Sequence, residues 1–156
     1  MQCCPLREHD LSLRKLLPEA EFAGVPDIAV RACSCDSRTV RPGDLFVAIR
    51  GVVHDGHDFI PQAVARGCAA VLAQSPVPNP GCPVCYVPDT RAAYGRLCQA
   101  LAGDPSRHMK VIGITGTNGK TTSTFLTASV LAAAGHNVGV LGTLGCFDGL
   151  RCSKQP

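Results

Sequence analysis

Tryptophan is absent from these 156 residues, and the other aromatics number only five Phe and two Tyr. The formal net charge is +3, and no run of Lys or Arg concentrates it. The chain therefore has neither the stacking platforms nor the focused positive field of a nucleic-acid-binding surface. It also lacks a long apolar run: none approaches the roughly 18 to 20 residues that a membrane-spanning helix needs. The opening MQCCPLREHDLSLRKLL has neither the basic start nor the apolar centre of a secretory leader, which places the protein in the cytosol. What remains is a globular chain, 46% hydrophobic, long enough for one domain or for one and part of another.

Cysteine is abundant, with ten in the chain. Cys82 and Cys85 make a C-x-x-C and Cys33 and Cys35 a C-x-C, but a zinc site calls for two matched pairs at suitable separation, and these are mismatched. Cys68 and Cys98 lie in apolar runs, where a free thiol acts as a small hydrophobe, and the cytosol does not favour a disulfide framework. The expectation is reduced structural thiols. Cys82 and Cys85 sit in the proline-rich SPVPNPGCPVC, not at a strand-to-helix turn that would activate a thiol.

Hydrophobic periodicity divides the chain in two. From Leu11 to about Ala102 it predicts an α/β unit: LRKLL as a short helix, IAVRAC and LFVAI as strands, and DFIPQAVARG as a helix ending on Gly67. CAAVLA and VCYV follow as strands, then TRAAYGRLCQALAG as a helix capped by Thr90 with Gly103 past its end. The polar GDPSRHM reads as a linker, which sets the domains at 1–103 and 109–156 with residues 104–108 between them. In the second part KVIGIT is a buried-strand candidate and GTNGK a loop. TTSTFLTASVLAAAG is a helix with Phe125, Leu126, Val130 and Ala133 on one face, ended by Gly135.

Strand, glycine loop and helix in that order form a phosphate cradle. Glycines let backbone N–H groups turn inward against phosphate oxygens, and the helix N-terminus adds partial positive charge. Lys120 can then reach the β- and γ-phosphates, while the Thr121 hydroxyl can hold the Mg²⁺ bridging them. The usual spacing G-x-x-x-x-G-K-[ST] would put the first glycine at Ile114; here Gly116 takes that part, three residues before Gly119.

With its displaced glycine, GITGTNGKTT resembles the ATP loop of the Mur ligases, the ATP-dependent amide-forming enzymes that build the peptide stem of peptidoglycan. SCDSRTVRPGDLFVAIRGVVHDGHDFIPQAVARGCAAVLA, residues 34–73, is similar to the domain that holds the UDP-sugar end of the substrate. GTNGKTT followed by GVLGTLG, residues 139–145, resembles the members that add the third stem residue more than those that add the terminal dipeptide.

The resemblance implies an α/β fold: a small UDP-sugar-binding domain followed by the start of a P-loop ATPase domain with a parallel sheet. It implies ATP and Mg²⁺ as cofactors, UDP-MurNAc-dipeptide and an amino acid as small-molecule substrates, and a monomer away from nucleic acid and membrane. Gly116, Thr117, Asn118, Gly119, Lys120, Thr121 and Thr122 would hold ATP, with Lys120 catalytic and Thr121 on the metal. Cys35, Ser37, Val52, Val53 and His54 would line the uridine and diphosphate site, Ser37 as a hydroxyl donor and Cys35 as an apolar contact. Family members are much longer than this chain, so no amide ligation by these residues alone is expected.

Other readings of the same residues stand beside that one. DSR is also an ordinary turn in which Asp36 caps backbone amides and Arg38 is solvated. His54, His57 and Asp58 could suggest a metal, but Asp58 also suits the N-cap of a helix beginning at Phe59, and we expect no metal there. A small kinase would need a downstream Mg²⁺-binding acid; Asp148, the only acid after the loop, sits in the turn CFDGL. A UDP-sugar-binding fragment without turnover, and the dipeptide-adding ligase, are the remaining alternatives.

Overall fold

The apolar runs LFVA and AVLA become the centre of a five-stranded sheet. In the computed structural model, which describes residues 10–149 and 152–153, the chain separates into two compact units, 1–109 and 110–156. The first nine residues of the expected first domain, Cys3 and Cys4 among them, lie outside the described residues, as does the side chain of Cys152.

In the first unit, β1 (Leu11–Ser12), α1 (Leu13–Leu16), β2 (Glu21–Ala23), β3 (Ala29–Val30), β4 (Cys33–Ser34) and β5 (Leu45–Val47) lead to a 3-10 turn at Gly56–Phe59. Next come α2 (Ile60–Ala65), β6 (Ala70–Ala73), β7 (Val84–Tyr86), α3 (Thr90–Leu101) and a second 3-10 turn at Pro105–Arg107. The sheet order is β2-β7-β6-β5-β4, with β4 to β7 parallel and β2 antiparallel at one edge. β1 and β3 pair separately, Leu11 opposite Val30.

Alternate side chains of a strand go to opposite faces, and a parallel sheet buries both. Leu45, Val47, Ala70, Leu72 and Cys85 accordingly join one apolar cluster, where Leu13, Leu17, Leu97 and Leu101 cover them from α1, the residue after it, and α3. Phe46, Val71, Ala73 and Val84 join a second cluster with Ile60 and Ala63 of α2. None of these nine strand residues is more than 2% exposed. Each fully buried Val, Leu or Phe contributes about 1.5–3 kcal/mol relative to exposure, so this two-sided burial is the main source of stability.

Three expectations for this unit change. IAVRAC is not one strand: it splits into β3 and β4 in different sheets, with exposed Arg31 at the break paired to Asp10. Thr90 does not cap α3; Asp89 does, its Oδ1 accepting from Arg91 N at 2.8 Å and Ala92 N at 3.0 Å, because a carboxylate one residue earlier reaches two free amides. Asp58 is likewise displaced, by Asp55, whose side chain accepts from His57 N at the start of the 3-10 turn. Gly67 and Gly103 end their helices with φ of 86° and 83°, conformations glycine alone adopts freely.

The second unit has α4 (Lys120–Ala133), β8 (Val140–Gly142), β9 (Gly145–Phe147) and β10 (Cys152–Ser153). KVIGIT is not a strand, and the sheet is antiparallel, in the order β10-β9-β8. A strand exists through its ladder. β8 is joined to β9 by a two-residue turn that closes a hairpin with Gly142 opposite Gly145, which local chain entropy favours over a parallel pairing with residues 110–115. Most of the large apolar residues of this unit stay in solvent, Val111 74% and Leu126 65% exposed, and Val140 is the one buried among those described. α4 buries none of its residues.

A helix without buried contacts opens locally at little cost. Amide exchange of the isolated chain should therefore be slow in β5, β6 and β7 and faster by orders of magnitude in α4. Uniform protection across both units would show that the second is held by more than its own contacts.

Candidate functional site

β4 to β7 run parallel, so the loops after β4 and β5, Gln74 after β6 and the start of α3 after β7 all leave the same end of the sheet. Ligands of open α/β sheets bind at this carboxyl end. Cys35 and Ser37 lie in the first loop. Ser34 ties it down, its buried hydroxyl lying 3.0 Å from Asp36 O and 2.9 Å from Thr39 Oγ1. Asp36 accepts from Arg38 N at 2.9 Å and pairs with the exposed Arg38 guanidinium at 2.8 Å. These bonds from Arg38 hold its carboxyl at about 2. The DSR segment is thus a capped turn, whatever else it does.

Cys35 is half-buried against the first apolar cluster, as an apolar contact requires. Ser37 is 5% exposed, and its hydroxyl donates to Gln62 Oε1 at 2.6 Å. In this bond the Ser37 proton is engaged and its oxygen keeps its lone pairs. Arg66 donates from α2's C-terminal cap to Ser37 O at 3.2 Å and Arg38 O at 2.8 Å, binding the loop to the helix.

The second loop is a pinned turn. Arg50 bridges Asp55, Gly51 N–H donates to His54 O at 2.9 Å, and Gly56 N–H donates to Ile49 O at 2.9 Å. Its tip is bare: Val52 is 102% exposed and Val53 83%, while the ring of His54 stands edge-on to Phe59 with centroids 6.3 Å apart. At the base Asp55 accepts from His57 N, from His57 Nδ1 at 2.6 Å and from Arg50 Nε at 3.0 Å. The first two bonds dominate in drawing its carboxyl down to about 2. His57 Nε2 accepts from Gln74 N at 3.2 Å, and the Gln74 side chain accepts from Thr90 Oγ1 at 2.8 Å. Both ring nitrogens of His57 are engaged in this network. Among the described residues no group of three or more His, Cys, Asp and Glu could hold a metal ion.

In the second unit Gly116 has φ of 148° and Gly119, the residue before α4, φ of 75°. A side chain at either would be strained, although a Cβ would meet nothing within 4 Å at Gly119 and only Asn118 O, at 3.7 Å, at Gly116. The first α4 bond recorded runs from Ser123 N to Gly119 O, so the amides of residues 120–122 precede the helical ladder, where an anion can accept from them. Lys120 Nζ lies 2.6 Å from Gly116 O and 3.2 Å from Thr117 O, folded over the loop. Thr117, Asn118, Thr121 and Thr122 are exposed around it. The residues present fit a bound triphosphate: two glycines of positive φ, free-standing amides and one ammonium.

A cleft of about 210 Å³ opens beside this loop, lined by Lys120, Thr121 and Phe125 on one side and by Leu141, Thr143 and Leu144 on the other. Residues 140–145 thus face Ile114 and the first turns of α4 across this cleft. Sequence reading noticed that segment but gave it no part in the site. Gln62, Arg66 and Gln74, which hold the first-unit loops, were missed, since an isolated Gln or Arg on a helix or after a strand carries no motif.

Residues 29–101 match the model of the Mur ligase family, catalytic domain. The UDP-N-acetylmuramoyl-L-alanyl-D-glutamate--2,6-diaminopimelate ligase of Geobacillus thermodenitrificans is 46% identical over 128 residues, 82% of this chain and 26% of the relative. The UDP-N-acetylmuramyl-tripeptide synthetase of Deinococcus radiodurans is 43% identical over 142 residues, 90% of this chain and 29% of the relative. Among solved structures, MurF of Acinetobacter baumannii has a TM-score of 0.59 at 28% identity, covering 90% of this chain and 31% of its own. The chain spans between 26% and 29% of the two curated relatives.

Two predictions follow from the pinned loops. A Cβ at Gly56 would meet Ile49 N and O at 2.6 Å, whereas one at Gly95, inside α3, meets nothing within 4 Å. Gly56→Ala should cost about 1–3 kcal/mol in denaturant unfolding of the first unit, and Gly95→Ala should add about 0.5–1 kcal/mol. The carboxyls of Asp36 and Asp55 are depressed from 3.8 to about 2. Their contribution is complete above 3.8 and is lost as pH falls from there through about 2. Stability of the first unit should drop across that window, less steeply in Asp55→Asn; an equal slope in the variant would remove Asp55 from this account.

Proposed function

The chain belongs to the Mur ligase family, and we propose that its protein is an ATP-dependent amide ligase adding the third stem residue, diaminopimelate or L-lysine, to UDP-MurNAc-L-Ala-D-Glu. The observation that carries this reading is the 46% identity, across 82% of the chain, with a relative named as a diaminopimelate-adding ligase. The dipeptide-adding alternative draws on MurF, but at 28% identity the likeness is weaker. No helix of the described residues is long and apolar enough to cross a membrane. We place the enzyme in the cytoplasm as a monomer acting on small molecules.

In this reading the first unit holds the UDP end of the substrate. Cys35 supplies an apolar wall, Ser37 an acceptor fixed by Gln62, and the Val52–His54 tip an exposed apolar cover that a bound ring would shield from water. The second unit holds the nucleotide, with the amides after Gly116 and Gly119 directed at phosphate oxygens and Thr121 at Mg²⁺. When bound, MgATP would supply the γ-phosphoryl group that activates the substrate's D-glutamate carboxylate for amide formation, with ADP and phosphate as the groups released. Lys120 offsets charge on the transferring oxygens; its short bonds to loop carbonyls keep the ammonium at the mouth of the loop until phosphate competes for it. None of these residues reacts covalently. Their work is positioning and charge.

The test is phosphate release by the full-length gene product with ATP, Mg²⁺, UDP-MurNAc-L-Ala-D-Glu and either diaminopimelate or lysine. Lys120→Ala should lower kcat by about 10²–10³-fold while leaving the dissociation constant for the UDP-substrate within about twofold, because the lysine serves the phosphates alone. Near-normal ADP release by the variant would remove Lys120 from the chemistry, and release that depends on D-Ala-D-Ala and a tripeptide substrate would favour the dipeptide-adding alternative.

A further inference from the structure

Two cysteines that belong to neither candidate site face each other. Cys68 follows Gly67 at the end of α2 and leads into β6, and Cys82 leads into β7. The parallel register sets Val71 beside Val84, so these cysteines stand three and two residues ahead of a matched pair on neighbouring strands. Both pack in the second apolar cluster, Cys68 at 7% exposure and Cys82 partly buried. Each thiol shifts the ionisation of the other, so the two side chains are near neighbours. Cys85, the partner that C-x-x-C spacing would choose for Cys82, is fully buried in the first cluster, on the opposite face of the sheet. The strand's alternation separates the motif pair and the topology creates another.

We propose that Cys68 and Cys82 are a modification site: a dithiol that a peroxide converts to a reversible disulfide, tying the entry of β6 to the entry of β7. The partly exposed Cys82 is the attacking sulfur. Its thiolate takes an oxygen from hydrogen peroxide as the O–O bond breaks; the expelled hydroxide leaves as water, and Cys82 becomes a sulfenic acid. Cys68 then loses its proton and attacks the Cys82 sulfur, displacing hydroxide as a second water. In sum, two thiols and one peroxide give one disulfide and two waters, and a dithiol reductant reverses the change.

Burial pushes the Cys68 thiol up to about 12 and raises Cys82 as well. Thiolate is therefore scarce at neutral pH, and oxidation is slow there and quickens about tenfold per pH unit. This is a slow staple rather than a fast sensor. It lies at the amino ends of the parallel strands, while the loops of the candidate UDP-sugar site leave their carboxyl ends, so closing it does not reach those loops.

The test is peptide mapping of the intact chain after peroxide at about pH 8.5, where thiolate is more plentiful. Trypsin alone leaves residues 67–91 in one piece, so chymotryptic cleavage after Leu72 is needed to part Cys68 from Cys82. We expect two peptides joined by a Cys68–Cys82 link, assigned against Cys85 by fragmentation and abolished by dithiothreitol. In Cys68→Ser the Cys82 sulfenic acid should persist and be trapped by dimedone. A Cys82–Cys85 link would overturn the proposal, as would complete oxidation of exposed Cys146 while Cys68 and Cys82 both remain alkylatable thiols. The unsubstituted chain decides the matter by itself if the variant does not fold.

Discussion

Everything in the first unit depends on burying a parallel sheet from both sides. Parallel strands with one face in water are rare because their crossovers lay chain over both faces. Here β5 and β6 send alternate residues into two separate clusters, and neither cluster closes without helices: α1 and α3 on one side, α2 on the other. Once both faces are filled, polar side chains have only the strand ends left. Ser34, Asp36, Arg50, Asp55, His57, Gln74 and Thr90 therefore collect where β4 to β7 terminate, and the apolar constraint places the polar site.

Those polar groups form a chain of bonds running across the sheet end, from Arg50 through Asp55 and His57 to Gln74 and Thr90. Each link joins a different element: the loop after β5, the 3-10 turn, the end of β6, the start of α3. A buried hydrogen bond adds only about 1 kcal/mol net, but a broken one leaves an unsatisfied group. The network thus does little for total stability and much for position. It holds the Gly51–His54 turn with its two valines outward.

How much of this could be read from the residues varied with the range of the interaction involved. LFVAI, CAAVLA, VCYV and the α3 pattern were legible because period and burial are local properties of a run, and Gly67 and Gly103 because helix ends need a residue of positive φ. The caps were misread by one and by three residues, since Thr90 and Asp58 are good capping types and only geometry shows that Asp89 and Asp55 reach the free amides first. IAVRAC looked continuous because nothing in its composition marks the switch of sheet at Arg31. KVIGIT failed for a different reason: strand propensity is satisfied by a neighbour, and the hairpin from Val140 to Phe147 forms its ladder without it. The cysteines show the same limit, as Cys82 and Cys85 are neighbours in sequence while the strand's alternation puts them in different clusters.

The two units consequently stand in different physical positions toward their ligands. The first presents loops held by charged and buried polar contacts, a preorganised surface that loses little entropy on binding. In the second, an ammonium and a few amides belong to a unit that leaves Val111, Ile112, Leu126 and Val130 exposed. In water, opposite charges at contact distance gain only about 1 kcal/mol, and several times more once water is excluded. Under the proposed function, the strength of the loop's hold on phosphate would rise with the exclusion of water from it. Shielding α4 and the cleft beside it would act on both terms together, burying apolar area and strengthening any bond from Lys120 to an anion.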